Sequence, residues 1–306
     1  MSGSAKTLVG VEICPTALRA VSVDQDGNIT ARQTVVFDGS EPTASQLARL
    51  TASLKAEIGD FDRIGVAVPG LVDRGTSRVA FSAHIPEHSN VDLIKEISRA
   101  SGLPAFIEND ANAAAYGEFR LGAARGCDNF FYATLGEGVG GAFILGGEIW
   151  RGASGFAGEF GFVPINSEGM RLEEVASTEN ILRRTRSRFH TDSTSSLNKL
   201  DEEAITLNDI IAAAEENDDF AQMMLQRTGI YVGTAIASVI NLLNLEKIVV
   251  GGEIMAARHL VLDAIIERAK ELSFAPSFDS ASIVEGELGE YAAAAGAALL
   301  SDQAGN

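Results

Sequence analysis

Residues 104–117 read Pro-Ala-Phe-Ile-Glu-Asn-Asp-Ala-Asn-Ala-Ala-Ala-Tyr-Gly, and this stretch decides the fold. Pro104 to Ile107 is short and apolar, as a buried strand is; Ala111 to Tyr116 is an alanine-rich run of high helix propensity. Asn109 and Asp110 therefore stand where a strand hands over to a helix. In open α/β sheets that rim is where ligands bind. The partial positive charge of the helix N-terminus also favours a carboxylate there. The plainer role for both residues is N-capping, and the pair alone leaves the choice open.

On the N-terminal side, residues 7–13 form a strand reaching Glu12, and Leu18 to Val23 a second. Asp24-Gln-Asp-Gly27 is a turn before a third strand, Asn28 to Phe37. Leu47, Leu50, Leu54 and Ile58 fall on one helical stripe. Arg63 to Val68 is a strand ending in Pro69-Gly70. Asn90 is placed to cap a helix that closes at Gly102, with Pro104 beyond it.

On the C-terminal side the pattern restarts after Gly122. Asn129 to Leu135 is a strand, Gly136 to Gly141 a glycine-rich turn, and Ala142 to Leu145 another strand closed by Gly146-Gly147. Strand, loop, strand, turn thus occurs twice, which predicts two related lobes with a cleft between them. Gly152 to Gly161 is an irregular loop carrying one acid, Glu159. Leu172 to Phe189 is expected to be helical, Thr191 to Asp201 an exposed loop, and Thr206 to Asp209 a capping box. A long helix covers 218–243, and Lys247 to Val250 is a strand ending in Gly251-Gly252. Helices over 256–272 and 290–301, with a strand over 282–285 between them, finish an α/β chain. The expected division is an N-terminal lobe over 1–118, with a terminal helix over 288–306 packing back on it, and a C-terminal lobe over 119–287.

The 306 residues, 46% of them hydrophobic, suffice for one large domain or two ordinary ones. A net charge of −18, with no Lys/Arg cluster beyond Arg183 to Arg188, argues against a nucleic-acid partner; that run reads as a solvated helix face. Two cysteines, Cys14 and Cys127, suit a reduced cytoplasmic protein. Met1 to Lys6 lacks the apolar core of a signal peptide. The uncharged stretch Thr228 to Leu245 contains Gly229, Gly233, Asn241 and Asn244, so it reads as a buried interior helix and no membrane association is expected.

Three glycine-bearing loops follow strands: Val68-Pro69-Gly70, Gly136 to Gly141, and Gly251-Gly252. Glycine lets backbone N–H groups approach a phosphate. Three such loops beside an aspartate at a strand end point to phosphoryl transfer, which needs positioning, charge neutralisation and a carboxylate to deprotonate the attacking hydroxyl.

Glu108-Asn-Asp-Ala-Asn-Ala-Ala-Ala-Tyr-Gly-Glu118, Leu121-Gly-Ala-Ala-Arg-Gly126, Tyr132 to Gly141, Arg151 to Gly161 and Ile248-Val-Val-Gly-Gly252 together resemble the ROK (repressor, ORF, kinase) sugar kinases over nearly the whole chain. The resemblance implies an actin-like, hexokinase-type (ribonuclease H-like) fold and ATP-dependent phosphorylation of a hexose. It also implies Mg²⁺ as the companion of ATP, and a homodimer. It makes Asp110 the catalytic base and Asn109 a sugar-hydroxyl ligand. Glu159, Glu173 and Gly70 join them on the sugar side. Thr16, Gly136, Gly138, Gly140, Gly251 and Gly252 fall on the nucleotide side.

The chain also departs from the family pattern. The first phosphate motif, Asp-x-Gly-Gly-Thr, reads Glu12-Ile-Cys14-Pro15-Thr16 here, and proline removes a backbone donor. Glu137 replaces a threonine in the second loop, where a carboxylate repels phosphate, and Glu253 takes the third glycine position of the adenosine motif. Phe162 stands at the zinc motif's histidine and the cysteine cluster is missing, so no structural zinc is expected. Pro86 between His84 and His88 breaks the helical spacing a metal pair would use. Two hypotheses result: an active hexose kinase, or a sugar-binding sensor with a degenerate nucleotide site. The helix-turn-helix of the family's repressors does not precede the first strand, so a sensor would act through another protein. A third reading keeps only the fold, as an assembly partner.

Overall fold

The computed structural model describes residues 7–73, 75–76 and 78–303. The reading of Met1 to Lys6 lies outside these residues, as do the last three positions of the expected terminal helix. The chain divides into two compact units, 1–128 with 142–157 and 287–306, and 129–141 with 158–286.

In the first unit, β1 (Leu8–Ile13), β2 (Ala17–Val23) and β3 (Ile29–Val36) form an antiparallel meander in which Glu12 lies opposite Arg19. Helix α1 (Thr43–Ile58) follows and turns Leu47, Leu50 and Leu54 inward. β4 (Ile64–Val68) is buried at all five residues, as befits a strand covered on both faces. After it come β5 (Leu71–Asp73) and β6 (Arg78–Phe81), a short antiparallel hairpin. Helix α2 (Leu93–Ser101), β7 (Ala105–Asn109) and α3 (Asp110–Leu121) complete the run. β4 pairs parallel with both β1 and β7, which gives the sheet order β3-β2-β1-β4-β7. One sheet face buries Val9, Val11 and Val66 among the leucines of α1 and Leu93 and Ile97 of α2.

The second half continues with β8 (Phe130–Leu135), β9 (Val139–Leu145) and β10 (Glu148–Trp150). Then come α4 (Glu173–Ala176), α5 (Thr178–Arg186), α6 (Leu207–Glu215) and the 25-residue α7 (Asp219–Leu243). β11 (Lys247–Gly251), α8 (His259–Leu272), α9 (Ala275–Asp279), β12 (Ser282–Glu285) and α10 (Ala292–Gln303) end the chain. The second sheet has the order β10-β9-β8-β11-β12, with β11 parallel to β8 and β12. Within the first unit, α10 lies on the other face of the first sheet, where a Cβ at Gly10 or Gly65 would stand 1.9 Å from a carbonyl oxygen of Ala294 or Ala297. Only glycine lets a helix sit that close.

Several expectations need correction. The cap of α2 is Asp92, whose carboxylate accepts from the Lys95 N–H; Asn90 instead turns the chain at φ +64°. The helix expected over 172–189 breaks at Ser177, whose extended backbone separates α4 from α5. The helix expected from 256 begins at His259, because Arg258 sits at φ +47° after a 3₁₀ turn. β9 starts at Val139, so the glycine turn is only Gly136–Gly138 and Gly140 is a strand residue. The stretch from Thr228 is not buried all round. Val232, Ile236 and Ile240 are covered, and Gly229 and Gly233 bring α7 against the α8 backbone, but Leu242 is 82% exposed. Nor is the arginine run wholly solvated: Arg184 is buried, donates to Thr228 Oγ1 at 2.7 Å and lies over the Tyr231 ring. Burial lowers its pKa to about 10. Among the described residues no helix is long and apolar enough to cross a membrane.

Candidate active site

At the β7–α3 junction the capping role falls to Asn109 alone, which leaves the Asp110 carboxylate outside the cap. Asn109 is the N-cap of α3, and its Oδ1 accepts from the Asn112 N–H at 3.0 Å. Its Nδ2 donates to the Gly70 carbonyl at 3.0 Å and to Asp110 Oδ1 at 2.8 Å. Ala111 N–H adds a second bond to that same Asp110 oxygen, at 2.9 Å. Oδ2 of Asp110 accepts no hydrogen bond from the described residues. Burial pushes the carboxyl up to about 6, opposed by the Ala111 N–H, the nearby His84 and the Asn109 amide. Asn109 thus spends its side chain on holding Asp110 and Gly70 together. Gly70 sits at φ +121°, and a Cβ there would stand 2.3 Å from the Phe81 carbonyl, so the β5–β6 hairpin passes where only glycine fits. Ser82, just past the hairpin, donates to the Pro69 carbonyl at 2.7 Å. His84 follows on this same turn, and sequence reasoning gave it no place at the site. His88 is instead a core residue paired with Thr43 Oγ1 at 2.8 Å.

The end of β1 adds a second charged cluster in the same unit. Arg19 Nη1 stands 2.8 Å from Cys14 Sγ and 3.5 Å from Glu12 Oε2, and Arg19 Nε donates to Glu290 Oε2 at 3.1 Å. A guanidinium thus lies against the turn where the family pattern has glycines. Burial raises Glu12 to about 7, with Arg19 opposing and Asp110 adding to the rise. Burial also pushes the Cys14 thiol up. Thr16 is exposed, and its carbonyl accepts from the Phe37 N–H.

In the second unit, Gly136 N–H donates to the Gly138 carbonyl and the Gly136 carbonyl accepts from Thr178 N–H, which ties the turn to the start of α5. Glu253 crosses this turn: its carboxylate accepts from Thr178 Oγ1, and its Cγ lies 3.6 Å from where a Gly136 Cβ would be. Gly251 and Gly252 have a packing reason of their own. A Cβ on Gly251 would meet the Tyr132 hydroxyl at 2.3 Å, and one on Gly252, at φ +95°, the Leu135 carbonyl at 2.2 Å. Glu159 is exposed at the start of a 3₁₀ turn over 160–162, held from behind by Phe160 stacked edge-on to Phe131. Glu173 Oε2 accepts from the Val139 N–H at 3.0 Å, so its carboxylate secures the exit of the Gly136–Gly138 turn. The segment does not fit a structural zinc. Phe162 is covered by the Arg171 guanidinium at 4.6 Å, Pro164 bridges Arg171, and no residue from 163 to 173 is Cys or His. Among the described residues no group of three or more His, Cys, Asp or Glu is placed to hold a metal.

A profile described as the ROK family matches residues 8–304. The chain belongs to the ROK family. It is 30% identical to a glucokinase of Thermotoga maritima, over 96% of each chain. It is 26% identical to the xylose repressor of Bacillus subtilis, over 94% of this chain and 75% of that one. A ROK family glucokinase from Streptomyces griseus, solved with glucose and AMPPNP, is 29% identical and superposes with a TM-score of 0.86 over 97% of this chain and 99% of that one. The fold is accordingly the actin-like, hexokinase-type fold.

Proposed function

We propose that this ROK protein is an ATP-dependent hexose kinase in which Asp110 takes the proton from the attacking hydroxyl. The observation that carries the reading is the one-sided fixation of Asp110. Two N–H bonds, from Asn109 Nδ2 and the Ala111 main chain, hold the carboxylate by Oδ1, while Asn109 is itself fixed by the Asn112 N–H. The other oxygen is left to meet a substrate hydroxyl. A carboxyl near 6 is ionised at neutral pH yet a stronger base than a free aspartate, which suits this step. The likeness to glucokinases supports a glucose-like substrate and ATP as donor.

Asn109 and Gly70 are assigned to the sugar beside Asp110, and the family resemblance supports the same assignment for Glu159 and Glu173. Gly136, Gly138, Gly140, Gly251, Gly252 and Thr16 take the nucleotide. A hard carboxylate oxygen such as that of Glu12 would hold Mg²⁺ bound with ATP, and the ion would neutralise donor charge. The two-lobe division over 1–118 with 288–306, and 119–287, belongs to this proposal. So does a homodimer, supported by exposed apolar residues such as Leu242 and Phe274. Cys14 and Cys127, neither of them in a disulfide, support a cytoplasmic setting.

A sensor with a degenerate nucleotide site is the second reading. Arg19 against the first turn and Glu253 across the second favour it. Calorimetric titration of MgATP, with and without glucose, separates the two. The kinase binds both ligands. Glucose binding without any nucleotide binding makes it a sensor, and no binding of either leaves the fold alone.

A further inference from the structure

Glu108 is buried beside the site, only 1% exposed, and the proposed chemistry makes no use of it. It is the residue before Asn109 at the end of β7. Its Oε1 accepts from the Asn109 N–H at 3.0 Å and from Asn112 Nδ2 at 3.3 Å. Its Oε2 takes a 2.6 Å charge-assisted bond from Arg151 Nη2. Arg151 comes directly after β10 and opens the glycine-rich segment that runs on to Glu159. The carbonyl of Arg151 accepts from the Ala157 N–H at 3.0 Å, which closes residues 151–157 into a compact loop. Arg151 Nη1 donates to the Ile149 carbonyl at 3.3 Å, so the guanidinium is braced from its own strand. One residue therefore holds the base of this loop with its main chain and the Asp110 turn with its side chain.

We infer that Glu108 and Arg151 are positioning residues that lock the 151–157 loop to the Asp110 turn, so that hexose recognition and the catalytic base are set together. The inference rests on the kinase reading for its link to sugar. A buried carboxylate bound at both oxygens has few alternative positions, and a guanidinium fork fixes direction as well as distance. Asp110 keeps its own bonds from Asn109 and Ala111 when the pair is lost. The pair should therefore govern hexose affinity more than the chemical step, and leave nucleotide affinity alone.

The test uses the full chain with Arg151→Met, and Arg151→Met combined with Glu108→Gln. The double variant removes both charges together and so avoids an unpaired buried carboxylate. Glucose and MgATP binding are measured by calorimetry, KM and kcat by coupled assay, and exchange of the 152–158 amides by mass spectrometry. The expected result is a glucose Kd and KM raised on the order of tenfold to a hundredfold in both variants. MgATP affinity should be unchanged, exchange over 152–158 faster, and guanidinium ion should partly restore the glucose KM of Arg151→Met. Unchanged glucose affinity and unchanged exchange in the folded double variant overturn the inference. If the wild type binds glucose without consuming ATP, the kinase reading fails and the glucose Kd still decides the positioning role. If it binds no glucose, exchange over 152–158 decides it alone.

Discussion

Replacing Asp110 by Asn should move activity and stability in opposite directions. The amide keeps an oxygen to accept from Asn109 Nδ2 and the Ala111 N–H, now 2.8 and 2.9 Å from Oδ1, so the junction keeps its shape. The base is gone, and loss of a general base costs about 10²–10⁴ in kcat. Stability should rise. Asp110 titrates at about 6 in the folded protein, chiefly through burial, against an ordinary value of 3.8. A raised carboxyl means the folded state keeps a proton that the unfolded chain has already lost, so stability falls as pH climbs from about 4 through about 6. The full shift corresponds to at most about 3 kcal/mol above that window, and partial exposure at the rim reduces this to about 1–2 kcal/mol. Asp110→Asn should therefore melt a few degrees higher than wild type at about pH 7.5, and the gap should close toward about pH 4. Coupled turnover assays and thermal melts at several pH values read both effects. A variant with undiminished turnover, or one less stable than wild type at neutral pH, refutes the reasoning.

Gly252→Ala should destabilise the protein by about 3 kcal/mol or more, because the added carbon would sit 2.2 Å from the Leu135 carbonyl at a φ of +95°; urea denaturation checks it. Glu253→Gln should tighten MgATP binding about threefold to tenfold, since it removes a carboxylate lying across the Gly136 turn; calorimetry would expose an unchanged Kd. Prolonged treatment with a strong chelator should leave the melting temperature unchanged. Arg171→Ala should lower it by about 2–3 °C, because the guanidinium stacked on Phe162 at 4.6 Å does the holding.

The sheet strands were readable because their signals are local. The alternation in β1 to β3 and the apolar runs of β11 and β12 placed those elements within a residue or two. The Thr206–Asp209 capping box and the left-handed Gly102 were readable for the same reason. The β5–β6 hairpin was not, since Leu71–Asp73 and Arg78–Phe81 show no apolar alternation of their own. The breaks at Ser177 and Arg258 carry no local signal, because neither residue is a helix breaker and tertiary packing sets their backbone. At the site, sequence named Asp110 and Asn109 but could not show that the amide of Asn109 is spent on Gly70 and Asp110. Gly251 and Gly252 read from sequence as a nucleotide loop; that the close passage of β11 beside β8 also demands glycine there is visible only in three dimensions. The Glu108–Arg151 bridge joins residues 43 positions apart, a pairing that no spacing rule supplies.

The most direct test of hexose phosphorylation at Asp110 is ATP consumption by the purified wild-type chain with Mg²⁺, in the presence and absence of a panel of hexoses. The kinase reading predicts turnover that depends on one or a few sugars and disappears in Asp110→Asn. Turnover that no sugar stimulates, or that Asp110→Asn retains, would contradict it.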